Sequence, residues 1–104
     1  IKLAEEKLEE PDVMLAGQIF KELSRMFPNN ARIITGEAEV EIFKGYPLKA
    51  IDMLNQVIEK TPEKFIRDKI KGCRVLAHAY KNLGDWEGAR NSLHQAELIE
   101  ASLT

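Results

Sequence analysis

The chain has 104 residues, of which 44% are hydrophobic and 31% charged, a composition typical of one folded domain rather than of a disordered segment. Its formal net charge of -2 argues against nucleic-acid binding through a dominant basic surface. The single cysteine excludes an internal disulfide, and no apolar run approaches the roughly 20 residues that cross a bilayer.

Helix-breaking pairs divide the chain into six predicted helices. Proline is tolerated in the first turn of a helix, glycine ends a helix, and Asp, Asn or Thr caps one. Such residues stand at 11–12, 29–30, 45–47, 61–62 and 84–85. We therefore place helices at about residues 1–9, 12–26, 30–44, 47–60, 63–83 and 86–102. No alternating apolar stretch bounded by hairpin turns predicts a sheet.

The stretch LGDWEGA, residues 83–89, contains one of these helix-breaking pairs. A glycine-aspartate pair can separate two strands, cap a helix or cradle a phosphate. A phosphate loop needs more glycines and a preceding strand, which this chain lacks. We therefore predict that Gly84 ends one helix and Asp85 begins the next.

Alanines recur in register along the chain. Ala16 and Ala50 stand 34 residues apart, and Ala89 follows 39 residues later. Each has a large apolar residue four positions on, namely Phe20, Leu54 and Leu93, and another alanine twelve positions earlier, namely Ala4, Ala38 and Ala77. Small side chains at matched positions let helices approach closely. The pattern predicts successive helical hairpins, at about residues 1–30, 31–64 and 65–104.

This pattern resembles the tetratricopeptide repeat, with its 34-residue period and its W-x2-L-G-x2-Y, A-x3-F and P signature. The third unit matches best, through Cys73, Leu76, Ala77, Tyr80, Gly84, Asp85, Ala89 and Leu93. The second unit departs from the signature, since Glu37 and Glu41 replace the leucine and tyrosine. The resemblance covers essentially the whole chain and implies an all-α, right-handed superhelical solenoid of about three hairpins. The start at Ile1, without methionine, suggests a piece of a longer protein.

Five extra residues separate the second and third alanine anchors, around residues 63–69. Nothing there breaks a helix, so we expect them to lengthen the fifth helix by more than one turn. Phe65 and Ile66 then lie beyond the standard hairpin. We favour packing on the second unit over exposure as an apolar handle for a partner.

The resemblance implies a concave groove, lined by the first helix of each hairpin, that receives a peptide. The second unit would contribute Arg32, Thr35, Glu39, Ile42 and Phe43, and the third Lys71, Arg74, His78, Lys81 and Asn82. Spacings of three and four place Lys71, Arg74, His78 and Lys81 on one stripe. This basic stripe predicts a salt-sensitive attraction for an acidic segment. The alternative is that the stripe is ordinary solvated helix surface.

A subset of the family binds chaperone tails through a clamp of two lysines, two asparagines and an arginine. The matching positions here hold Ile1, Glu5, Gly36, Lys71 and Val75. One of five agrees, so we do not expect chaperone-tail binding.

Residues capable of chemistry are few and scattered. His78 and His94 lack companions for a metal site, and Cys73 falls where the family buries a side chain. Tyr80 and Trp86 could stack a base, but both match packing positions, so we expect them in the core. We predict no catalytic residues, no metal and no cofactor.

The leading function is therefore a scaffold or adaptor that binds a peptide or helix of another protein. The alternatives are a regulatory or targeting domain of a larger enzyme or of a secretion or assembly complex, and, less favoured, an RNA-binding helical repeat. We expect no membrane insertion, no nucleic-acid partner and a cytoplasmic location. Apolar residues on the last helix, at Leu93, Leu98, Ile99 and Leu103, further predict concentration-dependent dimerisation.

Overall fold

A computed structural model describes residues 13–103, which form five α-helices and one short 3-10 turn and contain no strand. The helices are α1 (Val13–Met26), α2 (Ala31–Lys44), α3 (Pro47–Lys60), α4 (Ile66–Leu83) and α5 (Trp86–Ala101). The prediction of an all-helical chain is confirmed for these residues. The helix expected at about 1–9, with Ala4, lies outside the described residues.

The predicted capping residues set the helix ends. The Asn30 side chain accepts a hydrogen bond from the Ile33 amide at 3.1 Å and begins α2. Gly45 ends α2 with a φ of 93°, and Gly84 ends α4 with a φ of 79°, values that favour glycine. Asp85 then accepts from the Gly88 amide at 2.9 Å and begins α5. The interpretation of LGDWEGA as an interhelical turn is confirmed.

Each helix packs against the next one in the chain, and α2 also packs against α4. Within the described residues, α1 contacts only α2, and α5 contacts only α4. No described helix is both long enough and apolar enough to cross a bilayer.

The alanine register forms the core, as predicted. The side chains at Ala16, Ala38, Ala50, Ala77 and Ala89 are all buried. Phe20 and Leu54, four positions after their anchors, are fully buried as well, whereas Leu93 is 39% exposed. Leu93 differs because α5 has a neighbour on one side only among the described helices.

Two glycines each lie against an aromatic ring of a neighbouring helix. A Cβ at Gly36 would lie 2.8 Å from Cδ1 of Phe20 and closer still to its Cε1 and Cζ. A Cβ at Gly88 would lie 2.7 Å from Cδ1 of Tyr80. An aromatic ring from one helix therefore lies directly on the backbone of the next.

The five extra residues lengthen α4 to 18 residues, against 14 in each of α1, α2 and α3. The expectation of an unbroken helix from residue 63 is wrong, since a 3-10 turn at Glu63–Phe65 precedes α4. Pro62 is extended there, and Phe65 adopts φ -106° and ψ 44°, outside the helical region. Ile66 is half-buried but Phe65 is 48% exposed, so the favoured packing role does not hold for Phe65.

Trp86 also differs from expectation. Its side chain is 63% exposed, whereas we expected it in the core. Trp86 is the first residue of α5, whereas the ring of Tyr80 lies against Gly88. Tyr80 packs against the buried cluster formed by α2, α3 and α4, as expected.

Candidate interaction surfaces

Helices α2 and α4 form the surface where the sequence predicts a groove, called here the α2–α4 face. Lys71 Nζ of α4 lies 3.7 Å from Glu39 Oε1 of α2. One end of the face has an edge-on aromatic contact, in which the rings of Phe43 and His78 have centroids 6.2 Å apart at 78°. Phe43 remains 51% exposed. The two helices therefore present a mixed polar and aromatic surface to solvent.

Two of the ten predicted groove residues do not reach this surface. Thr35 is 2% exposed and Ile42 is 4% exposed, so the prediction is wrong for both. The reason is that α2 is packed by α1, α3 and α4, which leaves it a narrow free side. Ile42 belongs to the core cluster with Leu54 and Leu76. The Thr35 hydroxyl has no hydrogen-bond partner within the described part of the chain.

The remaining predicted residues lie at or near the surface: Arg32, Phe43, Lys71, Arg74, His78, Lys81 and Asn82 are exposed, and Glu39 is half-buried. The stripe on α4 is therefore exposed along its length. Its charge is partly neutralised, because Lys71 pairs with Glu39 and Arg74 pairs with Glu100 of α5. The Asn82 amide donates to the His78 carbonyl at 3.0 Å. Lys81 has no ion-pair partner among residues 13–103 and is the stripe's free cation.

Glu37 and Glu41, where the second unit departs from the repeat signature, lie near Lys49 of α3. These three residues are called here the polar seam. Lys49 Nζ of α3 lies 3.6 Å from Glu41 Oε1 of α2, whose side chain is 15% exposed. In the third unit the equivalent positions hold Tyr80 and Gly88, where the ring packs on the glycine. An ion pair thus replaces an aromatic contact at one register position.

Glu37 lies in the same seam. Its burial raises the pKa of the carboxyl above the ordinary 4.5, and the charge of Glu41 adds to this effect. A hydrogen bond from Ser24 of α1 and the charge of Lys49 act in the opposite direction. Two adjacent carboxylates are therefore held between three helices with one ammonium group.

Cys73 is fully buried in a cluster with Ile70 and Ala96. Burial raises the pKa of its thiol, with a smaller opposing effect from Lys69. A protonated, inaccessible thiol is a poor nucleophile, and the expectation of a buried side chain is confirmed. Among the residues that the structure describes, no three His, Cys, Asp or Glu side chains converge on a point that could hold a metal ion.

A cavity of about 850 Å³ opens elsewhere, where the α1–α2 connection, the outer side of α3 and the 3-10 turn meet. Its apolar wall consists mainly of Ile34, Met53, Val57 and Phe65. None of the ten predicted groove residues lines it. The sequence carried one signal for this site, the five-residue departure from the repeat, which supplies Phe65 and Asp68.

The outer side of α5 forms a third surface. Leu93, Leu98 and Leu103 are 39%, 59% and 49% exposed, respectively. Ile99 is half-buried and packs against the Cys73 cluster, so it belongs to the core side. The predicted dimerisation through this helix stays a prediction.

Comparison with known family models and with curated proteins finds no match to this sequence. The resemblance to tetratricopeptide repeats therefore rests on the residue pattern described above.

Proposed function

We propose that this chain is an interaction domain of the tetratricopeptide-repeat type, in which helical hairpins stack as a right-handed solenoid and bind a peptide from a partner protein. Three features support the solenoid. Helices contact mainly their neighbours in the chain, α2 packs on the helix two positions further on, and small residues recur at matched positions. Such stacking leaves one side of successive hairpins free for recognition.

The observation that carries the proposal is the composition of the α2–α4 face. An exposed aromatic residue, Phe43, stands beside His78 and close to a lysine-bearing stripe. Aromatic side chains are enriched among the residues that anchor a bound partner, and lysines attract an acidic segment through charge complementarity. Lys81 is free to pair with a carboxylate, and Lys71 can exchange Glu39 for one. The partner segment is therefore acidic, with an apolar side chain that contacts Phe43.

The charge of the face determines how binding responds to salt. Exposed pairs such as Lys71 with Glu39 are screened by salt, and each contributes little to stability. The long-range attraction of an acidic segment is screened in the same way. Binding should therefore weaken as ionic strength rises, while the folded state is nearly unaffected.

The experiment begins with capture of partners by the intact protein and their identification by mass spectrometry. Binding of a purified partner is then measured by calorimetry for wild type and for the double variant Lys71→Glu, Lys81→Glu. We expect at least a tenfold weaker Kd with an unchanged melting temperature. The matched control, Lys21→Glu with Arg90→Glu, makes the same charge change on α1 and α5 and should bind normally. An equal loss of affinity in both double variants would show that net charge alone weakens binding. That result would contradict a binding site on the α2–α4 face.

A further inference from the structure

The basic stripe on α4 contains one side chain, His78, that can change its charge near neutral pH. Histidine gains or loses a proton between about pH 5 and about pH 8, whereas lysine and arginine remain charged throughout that range. His78 is exposed, and Arg74 and Lys81 lie one helical turn before and after it on the same stripe. The state of this one imidazole therefore sets whether the stripe carries an additional positive charge.

A ring contact holds the imidazole of His78 beside the proposed anchor for the partner's apolar side chain. Its centroid lies 6.2 Å from that of Phe43, and the two ring planes are inclined by 78°. Aromatic pairs favour such an edge-on arrangement. Neither ring nitrogen of His78 has a hydrogen-bond or ion-pair partner among residues 13–103. A carboxylate next to an apolar residue bound on Phe43 can therefore reach a nitrogen of His78.

Ionisable side chains surround His78 on α2, α4 and α5. Spacings of seven and three place Arg90, Glu97 and Glu100 on one side of α5, where Glu100 pairs with Arg74. Helix α3 packs on the buried side of α4, so its charged residues do not face His78. The charged residues on the neighbouring turns are five basic and three acidic: Lys44, Lys71, Arg74, Lys81 and Arg90, and Glu39, Glu97 and Glu100. Within the described residues, none of these three carboxylates pairs with His78, and its surroundings are net positive before the ring gains a proton.

We infer that protonation of His78 strengthens the binding of an acidic segment to the α2–α4 face, so that the protein binds its partner more tightly as the pH falls. This regulation rests on the proposed function, because it requires an acidic segment on that face. The imidazolium donates a charge-assisted hydrogen bond to a carboxylate of the segment, whereas the neutral ring offers no charge. Linkage fixes the sign: a segment that binds the protonated ring more tightly takes up protons on binding, so its Kd falls as the pH falls.

The size of the effect follows from one added charge at an exposed site. A pair of unit charges about 4 Å apart in water contributes about 1 kcal/mol, which corresponds to about a fivefold change in Kd. We therefore expect the Kd of wild type to be about fivefold lower at about pH 5.5 than at about pH 8. Glutamate side chains of the bound segment remain largely ionised over this range, since their ordinary pKa is about 4.3.

The experiment measures binding of a rhodamine-labelled heptapeptide, six glutamates around a central phenylalanine, by fluorescence anisotropy at constant ionic strength. His78→Gln should bind with one Kd across the pH range, because the glutamine carries no charge. His78→Lys should also show no pH response but should bind more tightly than His78→Gln throughout. The matched control is His94→Gln, on the side of α5 opposite the buried Ser92 and Ala96, and it should keep the full response of wild type.

A second measurement needs no variant to fold. Calorimetry of wild type with the same peptide, in two buffers of different ionisation enthalpy at about pH 6.5, gives the number of protons taken up on binding. We expect a net uptake in wild type. Binding without proton uptake would overturn the role of His78.

The outcomes distinguish this regulation from the proposed function. A peptide that binds wild type with the same Kd at every pH, or a pH response that survives in His78→Gln, overturns the role of His78 and leaves the acidic partner of the α2–α4 face in place. A peptide that binds wild type at no pH overturns both. Loss of the pH response in His94→Gln as well as in His78→Gln would also contradict a specific role for His78.

Discussion

Replacing Gly36 by alanine tests the closest contact that any described glycine makes with a neighbouring helix. The new Cβ would collide with three carbons of the Phe20 ring, at 2.8 Å from Cδ1 and less from the other two. Phe20 is 0% exposed, so the ring is fully enclosed by its neighbours. The substitution therefore forces either α1 and α2 apart or the ring out of the core.

The expected change in the free energy of unfolding is the difference between a gain in helix propensity and a cost of overpacking. Alanine gains about 1 kcal/mol over glycine in a helix interior. Overpacking costs typically 1–3 kcal/mol, and removing a phenylalanine ring from a core costs about 3–5 kcal/mol. Because the new Cβ collides with three ring carbons, we expect a packing cost of about 3–5 kcal/mol. After subtraction of the gain in helix propensity, the free energy of unfolding falls by about 2–4 kcal/mol. For a domain of this size the melting temperature falls by roughly 10–30 °C.

Urea unfolding followed by circular dichroism at 222 nm measures the change. The control is Gly17→Ala in α1, whose Cβ would meet one methyl group of Val40 at 3.3 Å, a contact that yields by a small shift. It should stay within about 1 kcal/mol of wild type. Adding Phe20→Leu to Gly36→Ala should cost less than the sum of the two single changes. If Gly36→Ala unfolds at the same urea concentration as Gly17→Ala, the ring does not lie on Gly36 and the register of α1 against α2 is wrong.

Three further predictions concern other sites. Thr35→Val removes a buried hydroxyl that has no partner in the described residues, so the free energy of unfolding should stay equal or rise by about 1 kcal/mol; a clear loss in a urea titration would reveal a partner for the hydroxyl. Glu37→Gln should stabilise the protein at neutral pH. Because the pKa of Glu37 is raised in the folded state, the folded protein binds this proton more tightly, and the contribution of the carboxyl to the free energy of unfolding falls as the pH rises above 4.5. The gain in stability of the variant over wild type should therefore shrink on acidification. An advantage that persists unchanged at about pH 4 would remove burial of the charge as its cause. Leu98→Glu should abolish the predicted dimerisation in sedimentation velocity, while wild type that stays monomeric at high concentration would contradict the prediction itself.

Within the described residues, the sequence pattern predicted each helix except for the start of α4, because the signals for helix ends are local. Asn30, Gly45, Gly84 and Asp85 each act on the backbone within a few residues, and the structure places each at the predicted helix end. The burial of the repeated alanines was predicted correctly for a related reason. A methyl group repeated on one side of a helix marks where another helix approaches, whichever helix that is.

The surfaces were predicted less well because exposure depends on several neighbours at once. Thr35 and Ile42 follow the spacing of a groove, but α2 is covered by three helices, a fact that no single helix reveals. Trp86 was expected in the core, but it is the first residue of α5 and is 63% exposed. Most of the cavity could not be foreseen either, because its lining combines residues 29–34 with residues 49–68, two stretches of the chain that meet only after folding.

The order of contacts along the chain also bears on how fast the protein folds. Helices touch chiefly the helix before and the helix after, so few chain segments must find distant partners. Proteins built mainly from such local contacts fold in microseconds to milliseconds, because little loop-closure entropy is lost before contacts form. The temperature-jump relaxation of Trp86 fluorescence should therefore be over within milliseconds.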